Sequence, residues 1–406
     1  MSIQRENLYK YPWSKTDNPG AWVEVTDECD MVCTGCYRHN LEGHKPLEDV
    51  ERAILFSRDM TNCERIAIAG GEPLIYPHIV EVVDFIARHK MKPMILTNGL
   101  KFDRVFGEEL QKAGLAQIYF HVDSGQKRPG WEGMTEEELN ALRQHYADLV
   151  YKLDGVQCGF NITVFRSTLQ DIAAIVKWSR ANIHKVQFLS LICFRGLLDA
   201  AGIEYMANGQ PLDLSQLQTL TRKPEEISLS TEEMYDILED NFPDLRASSY
   251  LGGTAIPTTF KFLILLPIGS RTNIYGVIGA RTAELAQSFY HLIKGRYNAS
   301  LKNPKIGKKV FLLSVFDREV RQAFGNFFKV CTKNPLRIFD KIYVQCINLQ
   351  QPNEMTNGEK NLCDGCMNLM AYNGKMINSC ALDEYRMFGG PIQQVVSERE
   401  ERRIVS

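Results

Sequence analysis

The chain lacks most of what would place it in a membrane or outside the cell. No apolar run reaches the roughly 18 residues that a spanning helix needs. The N-terminus, MSIQRENLYKYPWSK, has no apolar core of the kind a signal peptide carries. Charge of one sign is missing too: 47 Lys and Arg stand against 49 Asp and Glu, a formal net of −2. Nothing therefore draws the whole chain to nucleic acid, and no nucleic-acid partner is expected. Cysteine is sparse for a secreted disulfide scaffold, at 11 in 406 residues, and its C-x2-C clustering points to metal in a reducing cytoplasm. Length and a hydrophobic content of 44% leave an ordinary globular protein, with two domains as the starting expectation.

What is present begins at Cys29, Cys33 and Cys36, a C-x3-C-x2-C loop directly after the apolar run of Trp22, Val23 and Val25. Thiolates are the soft ligands that hold iron–sulfur clusters. A tight loop with three of them can hold three corners of a cubane and leave the fourth iron open. Zinc and three unrelated buried thiols are the rivals. Zinc usually brings a fourth ligand close by, and Cys63 lies far along the chain. A second segment, Arg65–Ala69, reads as a strand running into Gly70-Gly71-Glu72-Pro73, where two glycines let the backbone approach a ligand closely.

The cysteine loop with its aromatic Tyr37, followed by GGEP, resembles the signature of the radical S-adenosylmethionine (SAM) superfamily. That resemblance implies a [4Fe–4S] cluster on Cys29, Cys33 and Cys36, with Tyr37 near the adenine. It also implies that Gly70, Gly71, Glu72 and Pro73 receive the SAM amino group. Thr97-Asn98-Gly99 is similar to the family's T-N-G turn, a plain turn being the alternative. Phe120–Ser124 aligns with a segment whose serine commonly faces the SAM carboxylate. His121 stands there instead, so His121, Asp123 and Ser124 are candidate cofactor contacts, or His121 reaches substrate, or it is a core histidine. Asn161 and Thr163 lie two apart on a strand and share a face. If that face is the inner one, Asn161 meets the ribose.

Along the chain, strands at 65–69, 92–96, 117–123, 156–165 and 185–192 alternate with helices at 47–60, 77–89, 104–113, 135–152 and 169–181. With the strand at Trp22–Val25 this makes six parallel βα units. The fold class expected is α/β: a (β/α)6 partial TIM barrel with an α+β insertion and a small C-terminal auxiliary-cluster module. Residues 1–20 form a loose arm in this reading, 21–225 the barrel, 226–345 the insertion and 346–406 the module. Ligands of such sheets lie at the C-terminal strand ends, where every motif named so far sits.

The second constellation is Cys363-Asp364-Gly365-Cys366 followed by Cys380, with a hairpin between them turning at Asn373-Gly374. Such a hairpin brings three thiolates together, and four cysteines would also make a closed zinc site. The spacing resembles the auxiliary-cluster module of the molybdenum-cofactor GTP cyclase and of twitch-type radical SAM enzymes. This implies a second [4Fe–4S] cluster on Cys363, Cys366 and Cys380, with Cys346 as the candidate fourth ligand and Cys331 behind it. Cys158 and Cys193 read as buried thiols.

Between the barrel and that module, Lys294–Lys341 carries twelve Lys and Arg against three Asp and Glu, interleaved with Phe311, Phe316, Phe324, Phe327 and Phe328. Such a stretch suits an anionic membrane surface, a phosphorylated substrate, or a solvated face over a buried helix. The family resemblance implies reductive SAM cleavage, hydrogen abstraction from an unactivated C–H bond, and an electron donor such as ferredoxin or flavodoxin. A lipid or membrane-associated substrate is the leading expectation. A ribosomal-peptide maturase and a sugar- or nucleotide-modifying enzyme follow, and an iron–sulfur sensor or electron carrier is the non-enzyme rival. Localisation is then cytoplasmic, with peripheral membrane contact.

Overall fold

The computed structural model describes residues 3–36, 38, 41, 43–213, 219–298, 307–351 and 354–396. Six parallel strands follow one another in chain order: β1 (Gly20–Thr26), β2 (Arg65–Gly70), β3 (Lys92–Thr97), β4 (Gln117–His121), β5 (Gln157–Val164) and β6 (Val186–Cys193). Parallel strands need crossovers, supplied by α1 (Leu47–Thr61), α2 (Ile79–Arg88), α3 (Arg104–Lys112), α4 (Asn140–Tyr151) and α5 (Ile172–Ala181). Each helix forms where its apolar residues recur every three to four positions. In α2, Ile79, Val82, Val83 and Ile86 are all buried against the sheet. α3 starts where the Asp103 carboxylate accepts the Phe106 N–H at 2.8 Å, an N-cap. Strands covered by helices run nearly continuously apolar, and every residue of β1 is buried.

The sheet does not stop at six strands. Beyond β6, it continues through segments from the insertion and the C-terminal region: α6 (Thr231–Asn241) precedes β7 (Ala247–Leu251), and β8 (Phe262–Leu265) follows. β8 pairs antiparallel with β7. The apolar stretch Phe260–Ile268 stays in the large sheet only as far as Leu265, and Pro267 opens β9 (Pro267–Gly269) in a separate small sheet with β10 (Ile274–Val277) and β11 (Tyr343–Val344). Proline has no N–H to give a ladder, so the break falls there. Then β12 (Cys346–Gln350) lies between β8 and β6, parallel to β6 with Cys346 opposite Phe188 and Asn348 opposite Ser190. At the other edge β13 (Leu369–Tyr372) joins β1 and turns into β14 (Lys375–Asn378). Asn373 and Gly374 take φ of 46° and 73°, as a type I′ hairpin requires. Twelve strands make this sheet among the described residues.

The N-terminal segment read as a loose arm is instead docked. Tyr9 and Lys10 pair with Ser249 and Tyr250 of β7. Tyr11 and Trp13 stack at 4.2 Å and are buried. Pro12 and Pro19 interrupt secondary structure without preventing aromatic burial.

Two cores result. One fills the space between strands and helices, and the inner sheet face carries Trp22, Ala67, Ala69, Met94, Tyr119, Met370 and Ile377. The small sheet has its own, where α8 (Arg318–Lys333) lays Val320, Ala323 and Phe327 against Ile268 and Tyr275. Its partner α7 (Ala280–Lys294) starts from the same carboxylate: buried Asp317 accepts the Thr282 N–H at 2.9 Å and the Val320 N–H at 3.1 Å. Asp317→Ala removes both caps and should cost about 2 kcal/mol, read as a lower midpoint in urea unfolding followed by circular dichroism.

Candidate functional site

The cysteine loop leaves the top of β1 and is fastened to the loop after β4. The Thr34 N–H donates to Gly125 O at 2.7 Å, and the Lys127 N–H to Val32 O at 3.0 Å. Cys33 bridges Gln126. Cys29, Cys33 and Cys36 are brought together closely enough that their charges interact. Burial first, then the neighbouring thiols and acids, pushes Cys29 up to about 11 and Cys33 up to about 12. Burial also raises Cys36. Without metal these are neutral thiols at pH 7, and metal must displace their protons.

The GGEP segment packs directly on this loop. The Gly71 N–H donates to Thr26 O at 2.9 Å, and the Glu72 N–H to Glu28 O at 2.7 Å. A Cβ on Gly70 would stand 2.2 Å from Thr26 O, and one on Gly71 1.9 Å from Glu28 O. The sequence suggests that the glycines make room for a ligand. In the fold their missing Cβ atoms make room for the backbone of the cysteine loop. Glu72 is buried, and its carboxylate accepts the Leu74 N–H (2.8 Å), the Thr97 hydroxyl (2.6 Å) and the Asn98 N–H (2.7 Å). Burial pushes Glu72 up to about 7, against the pull of those hydrogen bonds. Pro73 is buried and opens the single turn Pro73–Ile75. Asn98 Nδ2 donates to Asp30 at 2.7 Å and lies 4.0 Å from the Cys29 sulfur. Thr97 and Asn98 are thus more than a plain turn: they tie β3 to the cysteine loop.

On the next strands His121, Asn161 and Ser190 stand side by side, and the Asn348 amide donates to the Ser190 hydroxyl at 2.8 Å. His121 and Ser190 lie two residues on from Tyr119 and Phe188, which stack on the inner face, and side chains two apart on a strand share a face, so the row faces inward. Asn161 is therefore an inner-face residue, and Ser190 and Asn348 join it. Neither carried a sequence signal, because a polar residue inside a strand reads as solvent-facing until the register is known.

His121 is not a core histidine. Its side chain is 37% exposed, with Nε2 2.6 Å from Asp123 and 3.2 Å from the Thr163 hydroxyl. Enclosure pulls its pKa down, but the Asp123 carboxylate outweighs this and the net shift is upward. Asp123, buried, also accepts the Thr163 and Gly125 N–H groups, and the imidazole beside it brings its pKa below the usual range despite burial. Ser124 is exposed and its N–H goes to Glu136 at 2.7 Å. Tyr37 lies outside the described residues.

Two arginines escaped the sequence reading. Buried Arg128 donates to the carbonyls of Asn98 (2.6 Å) and His121 (3.1 Å), holding two strand ends together. Arg38, beside Cys36, meets Glu24 at 2.7 Å, Asp27 at 3.0 Å, and Asp383. With Arg386 on Asp27 at 2.8 Å, it fastens the C-terminal helix α9 (Leu382–Phe388) over the cysteine loop.

The second group of thiols lies where β13 and the N-terminal segment meet. Cys363 and Cys366 are buried and hydrogen-bonded to one another, and that bond, with burial and nearby Cys380, raises Cys363. Asn18 Nδ2 donates to Gly365 O at 3.2 Å and Cys366 O at 3.0 Å. Cys346 packs into the same apolar cluster as Cys363, Cys366, Tyr11 and Trp13. Burial pushes it up to about 12, opposed by Arg65. Cys331 packs on the small separate core instead. Cys158 and Cys193 are buried, and all eleven cysteines are free thiols. Among the described residues no three of His, Cys, Asp or Glu stand as ligands to one ion. A cubane spreads its thiolates over different irons, so soft donors grouped more widely suit it.

Residues 23–179 match the family model described as the radical SAM superfamily, and this part of the chain is a radical SAM domain. SAM and a [4Fe–4S] cluster are the cofactors of that family. Among curated relatives, the Fe-coproporphyrin III synthase of Methanosarcina barkeri is 24% identical over 238 residues, covering 57% of this chain and 55% of that one. A probable GTP 3′,8-cyclase of Pyrococcus abyssi is 29% identical over 105 residues, 25% of this chain and 34% of its own. The chain thus matches about half or less of the length of these relatives. Among solved structures, Streptococcus suis SuiB bound to S-adenosylmethionine aligns with TM-score 0.40 and 18% identity over 55% of this chain and 47% of that one.

Gly71→Ala should force the GGEP turn off the cysteine loop and destabilise the protein by about 2–4 kcal/mol, read from the urea midpoint. The His121–Asp123 pair sets a second expectation. Asp123 is lowered from 3.8, so its contribution is present above that value and is lost as pH falls through the depressed pKa. His121 is raised from 6.5, so its contribution is full below that value and is lost as pH rises through the raised pKa. The stability difference between the metal-free protein and Asp123→Asn should therefore peak between about pH 4 and 6.5. A difference that stays flat with pH would refute the pairing.

Proposed function

We propose that this chain is a radical SAM enzyme whose Cys29, Cys33 and Cys36 hold the SAM-binding [4Fe–4S] cluster. The observation that carries it is the convergence of three soft donors at the strand tops, laced to GGEP and T-N-G through Glu72 and Asn98. When bound, cluster and SAM supply one-electron reduction and a 5′-deoxyadenosyl radical able to take hydrogen from an unactivated C–H bond. The protein's part is positioning. Glu72 and Asn98 fix the loop that carries the thiolates, and Arg38 holds α9 over it. The inner row His121, Asn161, Ser190 and Asn348 offers polar contacts to SAM or substrate. His121, kept protonated by Asp123 to higher pH than a free histidine, is the group placed to hold or release a proton there.

Cys363, Cys366 and Cys380 suit a second [4Fe–4S] cluster, and the apolar cluster that Cys363 and Cys366 share with Cys346 favours Cys346 over Cys331 as its fourth ligand. An acidic carrier of the ferredoxin or flavodoxin class would deliver the electron. The substrate class we favour is a lipid or other membrane-associated molecule, supported by the basic, aromatic segment 294–341. The GTP cyclase relatives support a nucleotide as the second reading.

Anaerobic reconstitution should load about eight iron and eight sulfide per chain. Replacing Cys29, Cys33 and Cys36 with Ala should halve this and abolish 5′-deoxyadenosine formation. Cys346→Ala should lower the remaining iron while Cys331→Ala leaves it unchanged. About four irons, one cubane's worth, together with one zinc, would overturn the second cluster.

A further inference from the structure

Of the twenty large apolar side chains exposed among the described residues, twelve lie between Leu285 and Phe339. They are not scattered. On α7, Leu285, Phe289, Leu292 and Ile293 recur at helical spacing, the pattern of a buried stripe, yet all four are exposed and Leu292 is 80% exposed. Around α8, Leu312, Val315, Phe316, Phe324, Phe328, Leu336, Ile338 and Phe339 are exposed in turn. The core of this unit takes Val320, Ala323 and Phe327 from α8; Phe324 flanks it, its ring against Phe311, and is still exposed on its outer side. Exposed apolar side chains gathered this densely in one part of the chain mark an interaction site.

The charges say what covers it. Lys308, Lys309, Arg318, Lys329, Lys333 and Lys341 are exposed among these apolar residues. Within 294–341 the one ion pair among the described residues joins Arg337 to Asp340. Folding thus leaves these cations for an outside anion. A second copy of the chain is a poor occupant, because an isologous contact would press two strongly basic faces together. A soluble acidic protein such as the electron donor satisfies the charge but not the phenylalanines and leucines, since redox encounters are small. Among the described residues no helix is long and apolar enough to cross a membrane, and the contact considered is one of lying on a surface.

We propose that the outer face of α7, residues 307–316, α8 and residues 335–341 is a docking surface for an anionic lipid bilayer, with the aromatics in the interfacial layer and the lysines on the headgroups. A groove of about 1220 Å³ opens beside it, sharing Val315, Phe316, Arg318 and Arg321 with the surface and reaching Tyr9 and Lys10 of the N-terminal segment. The surface deepens the reading of a membrane-associated substrate and rests on it only for its purpose.

The test uses the full-length, cluster-loaded chain with vesicles of phosphatidylcholine alone or with 30% phosphatidylglycerol by preparation (roughly a −30 mV surface). The expected result is sedimentation with the anionic vesicles alone, weakening as salt rises. The quadruple variant K308E/K309E/K329E/K333E should reduce partitioning by at least about tenfold, and Phe328→Ser with Phe339→Ser should reduce it at constant charge. Binding to neither vesicle, or binding unchanged in both variants, overturns the proposal. So does a salt-sensitive complex with flavodoxin, or a dimer by light scattering, that both variants abolish while vesicles stay unbound. Substrate-free 5′-deoxyadenosine formation is measured on the same preparations and should be unchanged in both variants. Its loss in the parent chain would refute the radical SAM reading, whereas loss of vesicle binding alone refutes only the docking surface.

Discussion

The Glu72 carboxylate is the constraint on which the rest of the site depends. It is buried at the top of β2, and its two oxygens take hydrogen bonds from its own turn (Leu74) and from the end of the next strand (Thr97 and Asn98). A buried carboxylate is costly unless its lone pairs are filled, so once Glu72 is enclosed the turn and the neighbouring strand end must hold their places. Asn98 passes that constraint on to Asp30 and Cys29, and Gly71 and Glu72 carry it through the backbone to Thr26 and Glu28. Three strand tops are thereby fixed relative to the thiols. Arg128 extends the same lacing to β4 through carbonyl contacts. The precision a cluster site needs is built from these polar contacts around the thiols, as supporting contacts commonly position metal ligands.

The sheet gives this site an unusual border. Both edges of the six-strand barrel are extended by late segments of the chain: β12 on β6 and β13 on β1. The second group of thiols is brought to the barrel by these additions, since Cys346 begins β12 and Cys363 and Cys366 precede β13. The docked N-terminal segment completes the enclosure through Asn18, Tyr11 and Trp13. Long-range β pairing of this kind links residues at both ends of the chain, so assembly of the second thiol site waits on the whole fold.

How much of this was legible in the sequence follows from the range of the interactions involved. The six βα units were legible because periodicity and turn chemistry are local: the apolar spacing of α2 and the Asn373-Gly374 turn both read correctly from neighbouring residues. Cys29, Cys33 and Cys36, and likewise Cys363 and Cys366, fall on single short loops, which their spacing alone dictates. The reason for Gly70 and Gly71 was not, because the atoms they avoid belong to residues 26 and 28 on another loop. The docking of the N-terminal segment was missed for a similar cause: Tyr9 finds its partner at Ser249, and no local pattern announces a partner that far along the chain. Asn161 had an undecided face until pairing with His121 and Ser190 set the register, since a slip of one residue inverts every side chain. Arg38 and Arg128 carried no pattern at all, because buried arginines are defined by the carbonyls and acids the fold brings to them.

The placement of the two thiol sites narrows how they can cooperate. β1 reaches toward both: beneath it Asn18 holds the carbonyls of Gly365 and Cys366, and above it the chain enters the Cys29 loop. Seven extended residues span roughly 23 Å at the usual rise per residue, so the sites sit about a strand's length apart. The inner face between them carries Trp22, Ala67, Ala69, Met94 and Tyr119. An apolar wall of this kind keeps water from a reactive intermediate, while the polar row at His121, Asn161, Ser190 and Asn348 marks where a ligand can be oriented. A second cluster at Cys363 and Cys366 would therefore act on the substrate or its electron from the far side of that wall, with the dry surface and the polar row following one another along the same inner face of the sheet.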